Sequence, residues 1–162
     1  MNEPLHITID TREQRPWAFP PNLARATVGT LRTGDYALAG DTRFAIERKS
    51  LDDFLGTIGS GWERFLREIG RMEGAGFVAR VVVVEADYES CCFHLTEDGE
   101  LEPPRHNHPK LDPAFVNRRI AELLVRWNVS VVFAGNSQYA GALALSILRR
   151  RAEQIEEGDE AR

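Results

Sequence analysis

The spacing of apolar residues in the first third of the chain predicts strands. Residues 5–10 alternate between apolar and polar side chains, which is typical of a half-buried strand, and this strand ends on an acid. Three prolines then predict an irregular segment, with Trp17 and Phe19 as its anchors. Three further strands, separated by glycine turns, are predicted at residues 26–32, 36–38 and 43–47. Together the four strands are predicted to form an antiparallel meander.

After residue 49 the spacing becomes helical. Ser50 is expected to cap a helix with Asp52 and Asp53 in its first turn, and the glycines at 59 and 61 end it. Further helices are predicted at residues 62–73, 112–127 and 137–151, and buried strands at the apolar runs 78–84 and 129–134. Residues 97–111 are polar and contain prolines, and we expect them to form an exposed loop.

This order of elements predicts an α/β domain with a central mixed sheet and helices on both faces. A chain of 162 residues is expected to form one domain. We place that domain at residues 1–151 and expect residues 152–162 to form an acidic, flexible tail.

The composition, 43% hydrophobic and 28% charged, is ordinary for a soluble globular protein. No apolar run is long enough to cross a membrane, and the N-terminus lacks the features of a signal peptide. We therefore expect a cytoplasmic protein without membrane contacts. The adjacent Cys91 and Cys92 are expected to be reduced, because neighbouring residues rarely form a disulfide.

The net charge of −5 does not by itself indicate a nucleic-acid-binding protein. Residues 153–162 carry five acids and one base, so the rest of the chain has 19 basic against 20 acidic side chains. Nucleic-acid binding depends on local clustering of charge more than on the total. Arginines concentrate in the first half of the chain, which leaves DNA as a possible partner.

Three side chains in this half have the chemistry of phosphodiester hydrolysis. That reaction needs carboxylates to hold a divalent cation and a protein cation near the attacking water. Asp35 and Glu47 lie at predicted strand ends, and Lys49 follows Glu47 by two residues, which puts both side chains on one face of a strand. In this general form the pattern also occurs in unrelated chains as solvated surface charges.

The flanking residues make the pattern specific. Gly34-Asp35-Tyr36 is followed by Glu47-Arg48-Lys49 and then by Asp53, and Asp10-Thr11-Arg12-Glu13 lies upstream. These blocks, in this order and spacing, resemble the nuclease domain of the XPF family of structure-specific endonucleases. The resemblance is closest over residues 5–55, is compatible in element order to about residue 150, and is similar to stand-alone bacterial or phage versions.

The resemblance implies a restriction-endonuclease-like α/β fold and an endonuclease that depends on Mg²⁺ or Mn²⁺. It implies cleavage of branched, flap or fork DNA in repair, recombination or replication. Asp35 and Glu47 would be the metal ligands, and Lys49 would orient the water and stabilise negative charge. Asp10 would be either a further ligand or an acid hydrogen-bonded behind the ligands. The supporting hydrogen bonds and phosphate contacts would come from Arg12, Glu13, Arg48 and Asp53.

Family members commonly carry a helix-hairpin-helix module after the nuclease domain, and some carry a helicase part. Neither is expected here, so a separate protein is a candidate for DNA targeting. The resemblance also implies a homodimer that pairs through its C-terminal helices. Two other functions remain open: a catalytically inactive DNA-binding or scaffolding subunit, and the same chemistry on four-way junctions or ordinary duplex.

Several further residues have two interpretations. Tyr36 is expected either to stack on a base or sugar or to pack under the hairpin. Arg64, Arg67 and Arg71 recur at helical spacing, which indicates either a phosphate-contacting stripe or a solvated face. The string His106-Asn107-His108 resembles another nuclease motif, but it lies in the proline-containing loop. A zinc site is not expected, because Cys91 and Cys92 lack the usual ligand spacing.

Overall fold

The computed structural model describes residues 3–92, 94–102, 108 and 111–158. The strands of this region are β1 (Leu5–Asp10), β2 (Ala24–Gly29), β3 (Tyr36–Leu38), β4 (Ile46–Lys49), β5 (Arg80–Val84), β6 (His94–Leu95), β7 (Leu101–Glu102) and β8 (Val129–Phe133). Six of them form one mixed sheet in the order β2-β1-β3-β4-β5-β8, and β6 and β7 pair as a separate ribbon. The helices are α1 (Leu51–Ile58), α2 (Trp62–Gly74), α3 (Tyr88–Cys92), α4 (Pro113–Trp127) and α5 (Ser137–Glu156).

Helices cover both faces of the six-stranded sheet, as predicted. Val82 and Val84 of β5 pack in a core with α1, α2, α3 and α4, whereas Val83 between them packs in a second core with α5. Successive residues of a strand point to opposite faces, so the two cores lie on opposite sides of the sheet. The buried valine run of β5 is therefore explained by helices on both sides.

The predicted antiparallel meander is wrong at β2. This strand ends at Gly29 and pairs parallel to β1 at the edge of the sheet, while β3 pairs antiparallel on the other side of β1. The chain between β1 and β2 is a crossover, which parallel pairing requires. Its anchor is Trp17, which is buried between Tyr36 of the sheet and Gly141 of α5. The fourth predicted strand is also shifted, because β4 begins only at Ile46.

Helix α5 continues to Glu156, five residues beyond the end predicted at residue 151. Arg150 pairs with Glu153 and Glu157 along the added turns, and Arg151 is buried against Asp41. The first acids of the expected tail thus extend the helix. The ribbon of β6 and β7 was not predicted, and most of the expected loop at 97–111 lies outside the described residues.

Two observations concern membrane spans and the cysteines. No helix in the described part of the chain is both long and apolar enough to cross a membrane. Cys91 is a buried free thiol, as expected, and the side chain of Cys92 lies outside the described part.

Candidate active site

Three carboxylates lie in one row across neighbouring strands of the sheet. Tyr36 of β3 pairs with Ile9 of β1 on one side and with Ile46 of β4 on the other. The next row of paired positions therefore consists of Asp10, Asp35 and Glu47. The Asp10 N–H donates to the Asp35 carbonyl at 2.9 Å, and the Asp35 N–H donates to the Ile46 carbonyl at 2.9 Å. The backbone of Asp35 is therefore fixed between the strands that carry the other two acids.

Gly34 makes the turn that delivers Asp35 to this row. Its φ is +81°, in the left-handed region that residues with a side chain rarely adopt. A Cβ atom at this position would lie 2.6 Å from the Cβ of Ala45. Both the backbone conformation and the space therefore require glycine before Asp35.

Strand β4 separates three consecutive charged residues onto two faces. Lys49 Nζ lies 3.1 Å from Glu47 Oε1 and 5.9 Å from the ring centre of Phe65 in α2. Glu47 and Lys49 thus share the face covered by α2, as their spacing predicts. Arg48 projects to the opposite face, where it lies over Trp17.

Burial dominates the electrostatics of the acid pair, and repulsion by Asp35 adds to it at Glu47. Burial raises the pKa of Asp35 to about 6, although its carboxylate accepts a hydrogen bond from the Arg48 N–H at 2.7 Å. Burial and the negative charge of Asp35 raise the pKa of Glu47 to about 8. Burial lowers the pKa of Lys49, but the carboxylate of Glu47 outweighs this effect, so its pKa is raised and its ammonium group stays charged. The pair would therefore be stabilised by more positive charge than Lys49 supplies.

The pair fits a divalent cation with oxygen ligands. Glu47 Oε2 is buried and has no hydrogen-bond partner among the residues described. Carboxylate oxygens are the ligands that Mg²⁺ and Mn²⁺ prefer. The described ranges contain no group of three or more His, Cys, Asp or Glu side chains arranged to hold a metal. Two carboxylates suffice for Mg²⁺, which usually completes its coordination with waters and substrate phosphates.

Both carboxylate oxygens of Asp10 accept hydrogen bonds from neighbouring segments of the chain. Its side chain is buried, one carboxylate oxygen accepts from the N–H and the guanidinium of Arg12, and the other accepts from the Leu31 N–H at 2.8 Å. Burial opposes these hydrogen bonds, but together they lower the pKa of Asp10. This arrangement favours the second of the two expected roles, an acid that organises the loop beside Asp35 and Glu47.

Arg48 connects the elements beneath the site. Its Nε donates to Glu85 Oε1 at 2.7 Å, and its Nη1 donates to Glu13 Oε2 at 2.9 Å and to the Tyr36 hydroxyl at 3.2 Å. Its guanidinium carbon is 4.9 Å from the ring centre of Trp17. Glu13 and Arg48 therefore support the site from the face opposite the acid pair, and neither is placed for a phosphate contact on the face of Glu47 and Lys49.

The expectation that Tyr36 could stack on a base or sugar is wrong. Tyr36 is fully buried, and its ring stacks on Trp17 with centres 4.4 Å apart. Its hydroxyl donates to Glu13 at 2.9 Å. The alternative expectation, packing beneath the hairpin, is the one the structure shows.

The arginines predicted on α2 are exposed along one side of the helix, at Arg64, Arg67 and Arg71. Arg64 and Asp53 line a cavity of about 470 Å³ together with Lys49. The exposed Asp53 also marks the first turn of α1, where its N–H donates to the Ser50 cap at 3.1 Å. Part of the arginine stripe therefore borders Lys49.

Two acids near the site were not predicted from the sequence. Glu85 follows β5 directly and accepts hydrogen bonds from Arg48 and from Trp17 Nε1. An acid at the carboxyl end of a buried parallel strand is a signal that could have identified it. Glu68 on α2 lies three residues after Phe65, and its charge raises the pKa values of Asp35, Glu47 and Lys49. Only the position of α2 over β4 reveals this residue.

The other sequence candidates gain no support. His106 and Asn107 of the HNH-like string lie outside the described residues, and His108 lies 3.4 Å from Asp52. Cys91 is buried in the core that contains α3 and α4.

The chain is similar to one protein family and to solved structures. The model of the ERCC4 domain family matches residues 9–146. The structure of XPF from Aeropyrum pernix matches with a TM-score of 0.66 and 18% identity, over 96% of this chain and 69% of that one. The same protein in complex with DNA matches with a TM-score of 0.66 and 18% identity, over 92% and 66% of the two chains. Comparison with curated proteins found no match. The structural likeness confirms the predicted restriction-endonuclease-like fold.

Proposed function

Because this chain belongs to the ERCC4 domain family, whose members include structure-specific DNA nucleases, we propose that it is a metal-dependent DNA endonuclease. The substrates we propose are branched, flap or fork DNA, cut in repair, recombination or replication. The observation that carries the proposal is the pair of the half-buried Asp35 and the buried Glu47 beside the charged Lys49. Mg²⁺ or Mn²⁺ is the cation that the oxygen donors of this pair favour.

Each side chain has a defined part in the proposed hydrolysis. Asp35 and Glu47 would hold the cation, which when bound polarises the phosphate and lowers the pKa of water. Lys49 keeps its proton and presents a positive charge on the same face, where it can donate to the attacking water or to a phosphate oxygen. Asp10 and Arg48 position these groups without touching the substrate. The DNA complex of XPF from Aeropyrum pernix supports DNA as the partner.

A cleavage assay tests the proposal. The protein should cut a labelled flap or fork in Mg²⁺ or Mn²⁺, and EDTA should stop it. Glu47→Gln and Lys49→Ala should each lower the rate at least 100-fold while thermal unfolding shows a folded protein, because each removes a charge that the transition state needs. Glu156→Gln and Arg126→Ala, which change exposed residues far from the site, serve as controls. Unchanged cutting by both active-site variants would refute the proposal.

Metal binding distinguishes the enzyme from an inactive DNA-binding or scaffolding subunit. Calorimetry should detect Mn²⁺ binding to the wild type and a large loss with Asp35→Asn, since the remaining carboxylate lacks its partner. A protein that binds DNA but shows no Mn²⁺ binding dependent on Asp35 would be the inactive subunit. A panel of flap, fork, nicked, four-way and linear DNA would then define the substrate.

A further inference from the structure

A second cavity, of about 760 Å³, lies on the catalytic face of the sheet. Small residues form its floor, at Thr8, Ala37 and Ala45. Its walls include Arg32 on one side and, at the end of α2, Arg71 and Ala75 on the other. We call it the threonine–arginine groove. It is separate from the cavity beside Lys49 and Arg64, which lies at the other end of α2.

The groove begins where the acid row ends. Thr8, Ala37 and Ala45 are each two residues from an acid of the row, and Thr8 pairs with Ala37 across β1 and β3. Side chains two residues apart on a strand share a face, so the floor continues the row of Asp10, Asp35 and Glu47 along the same strands. A polynucleotide whose phosphate lies at the acid pair can therefore run directly into the groove.

The accessible charge of the groove is positive. Arg32 and Arg71 are exposed, and neither pairs with an acid within the described part of the chain. Asp41 also lines the groove, but both of its carboxylate oxygens are bound by the guanidinium of Arg151, at 2.8 and 3.2 Å. The two free guanidinium groups are suited to phosphates, which arginine binds with two parallel hydrogen bonds.

The width of the groove selects among forms of DNA. A floor of three strands spans about 10 Å between its outer strands. This is less than the ~12 Å width of the major groove alone in B-form DNA, so the floor suits a single strand better than a duplex. The half-buried Phe77 and Leu31 add apolar surface of the kind on which unstacked bases pack.

We infer that the threonine–arginine groove binds the unpaired DNA strand that adjoins the scissile phosphate. The inference rests on the proposed nuclease function and specifies its substrate as DNA with a single-stranded stretch next to the cut. Arg32 and Arg71 bind the phosphates of that strand.

Equilibrium binding without cleavage tests the inference. The probe is a fluorescent oligothymidylate in EDTA, measured by anisotropy over a range of salt concentrations, with a blunt duplex of equal length for comparison. Arg32→Glu with Arg71→Glu should weaken binding of the single strand about tenfold or more. Each phosphate contact on a single strand contributes ~0.7 to the slope of log K against the logarithm of the salt concentration. The loss of two contacts should therefore reduce the magnitude of this slope by about 1.4.

Two further variants distinguish the effect of blocking the groove from the effect of changing the charge of the protein on single-strand binding. Ala75→Trp fills the groove from an exposed position without changing charge, and it should also weaken binding of the single strand. Arg15→Glu reverses an exposed charge in the segment between β1 and β2, whose backbone contacts Arg48 on the face opposite the groove, and should have little effect. Unchanged binding in both groove variants, or an equal loss for duplex and single strand, would overturn the inference.

Failure of the inference and failure of the nuclease proposal are distinguishable. If the groove variants lose single-strand binding but the wild type cuts no DNA, the inference about the groove is supported and the nuclease proposal is refuted. If the wild type cuts DNA and the groove variants cut flaps of every overhang length at the same rate, the groove inference fails alone.

Discussion

At the scale of single residues, the glycine of the Gly-Asp motif has a physical explanation. Gly34 combines a positive φ with a close approach to Ala45, which itself lies two residues before Glu47. A side chain at position 34 would therefore displace both Asp35 and the strand that carries Glu47. The motif therefore pairs a turn residue with the acid that this turn positions.

Gly34→Ala should destabilise the protein by about 1–3 kcal/mol, because a strained backbone conformation is added to a steric clash. We also expect weaker Mn²⁺ binding, since Asp35 moves relative to Glu47. Urea unfolding and calorimetry measure the two effects. Gly70→Ala is the matched control, because Gly70 lies on α2 with open space around it and should gain helix stability.

The raised pKa values of Asp35 and Glu47 predict how the metal-free protein responds to pH. A carboxyl group whose pKa is higher in the folded state binds more protons there than in the unfolded state. The stability from this pair should therefore fall as the pH rises from about 5 to 8, across the pKa values of about 6 and about 8. A metal ion needs deprotonated ligands, so Mn²⁺ should raise the Tm more at pH 8 than at pH 6.

Thermal unfolding across this pH range measures both effects, with Glu47→Gln as the comparison. This variant removes one of the two titrating groups and should flatten the pH dependence of the Tm. An identical slope in the variant and the wild type would show that the acid pair does not titrate in this range.

At the scale of elements, Arg48 joins parts of the fold that are distant in sequence. It contacts Glu13 after β1, Tyr36 in β3 and Glu85 after β5. One guanidinium group thus connects three segments around β4. The buried pair of Arg151 and Asp41 similarly joins the end of α5 to the turn between β3 and β4.

Arg48→Lys should destabilise the protein by about 2–4 kcal/mol, since an ammonium group cannot bind both carboxylates and the tyrosine hydroxyl in the geometry of a planar guanidinium. Denaturant unfolding measures the loss. Adding Glu13→Gln should recover part of it, because an unpaired buried charge is then removed. A lysine variant as stable as the wild type would show that the network contributes little.

Elements that depend on capping residues and on the spacing of apolar residues were predicted correctly from the sequence. Ser50 and Asp112 cap α1 and α4 as their types suggest, and the spacing of apolar residues gave α2 to within a residue. The direction of β2 was not predictable, because this exposed edge strand carries little pattern and its pairing depends on a distant anchor, Trp17. The end of α5 was missed because its acids have the composition of a tail.

The same distinction applies to the site. Asp35, Glu47 and Lys49 could be identified from spacing and a family motif, and the structure brings them together. Glu85 had a sequence signal at the end of β5, whereas Glu68 could not be identified because the position of α2 over β4 depends on tertiary packing. The burial of Tyr36 depends in the same way on the crossover segment that carries Trp17.

At the scale of the whole molecule, an apolar surface supports the proposed homodimer. Leu124 and Val125 on α4 are 55% and 83% exposed. Large exposed apolar side chains that are adjacent favour a protein contact over solvent. We propose that α4 and α5, the C-terminal helices, form the interface between two copies.

Val125→Glu should convert the dimer to a monomer, because the interface would have to bury an unpaired charge. Sedimentation velocity at several concentrations measures the change. Val28→Glu is the control, since Val28 is 70% exposed on β2 at the opposite edge of the sheet. A wild type that sediments as a monomer at every concentration would refute the proposal.

The side chains of β4 alternate between the two faces of the sheet, and this alternation limits which insertions the protein can tolerate. Glu47 and Lys49, to which we assign the proposed hydrolysis, lie on one face, and Arg48 anchors the fold on the other. Inserting one residue ahead of Ile46 would shift the register and exchange the faces. Ile46 would then take the position of Glu47 and Arg48 that of Lys49, and the side chains of Glu47 and Lys49 would point to the face covered by α5. Single-residue insertions here should therefore abolish activity and stability together, so the length of the hairpin between β3 and β4 can vary only where the strands themselves stay in register.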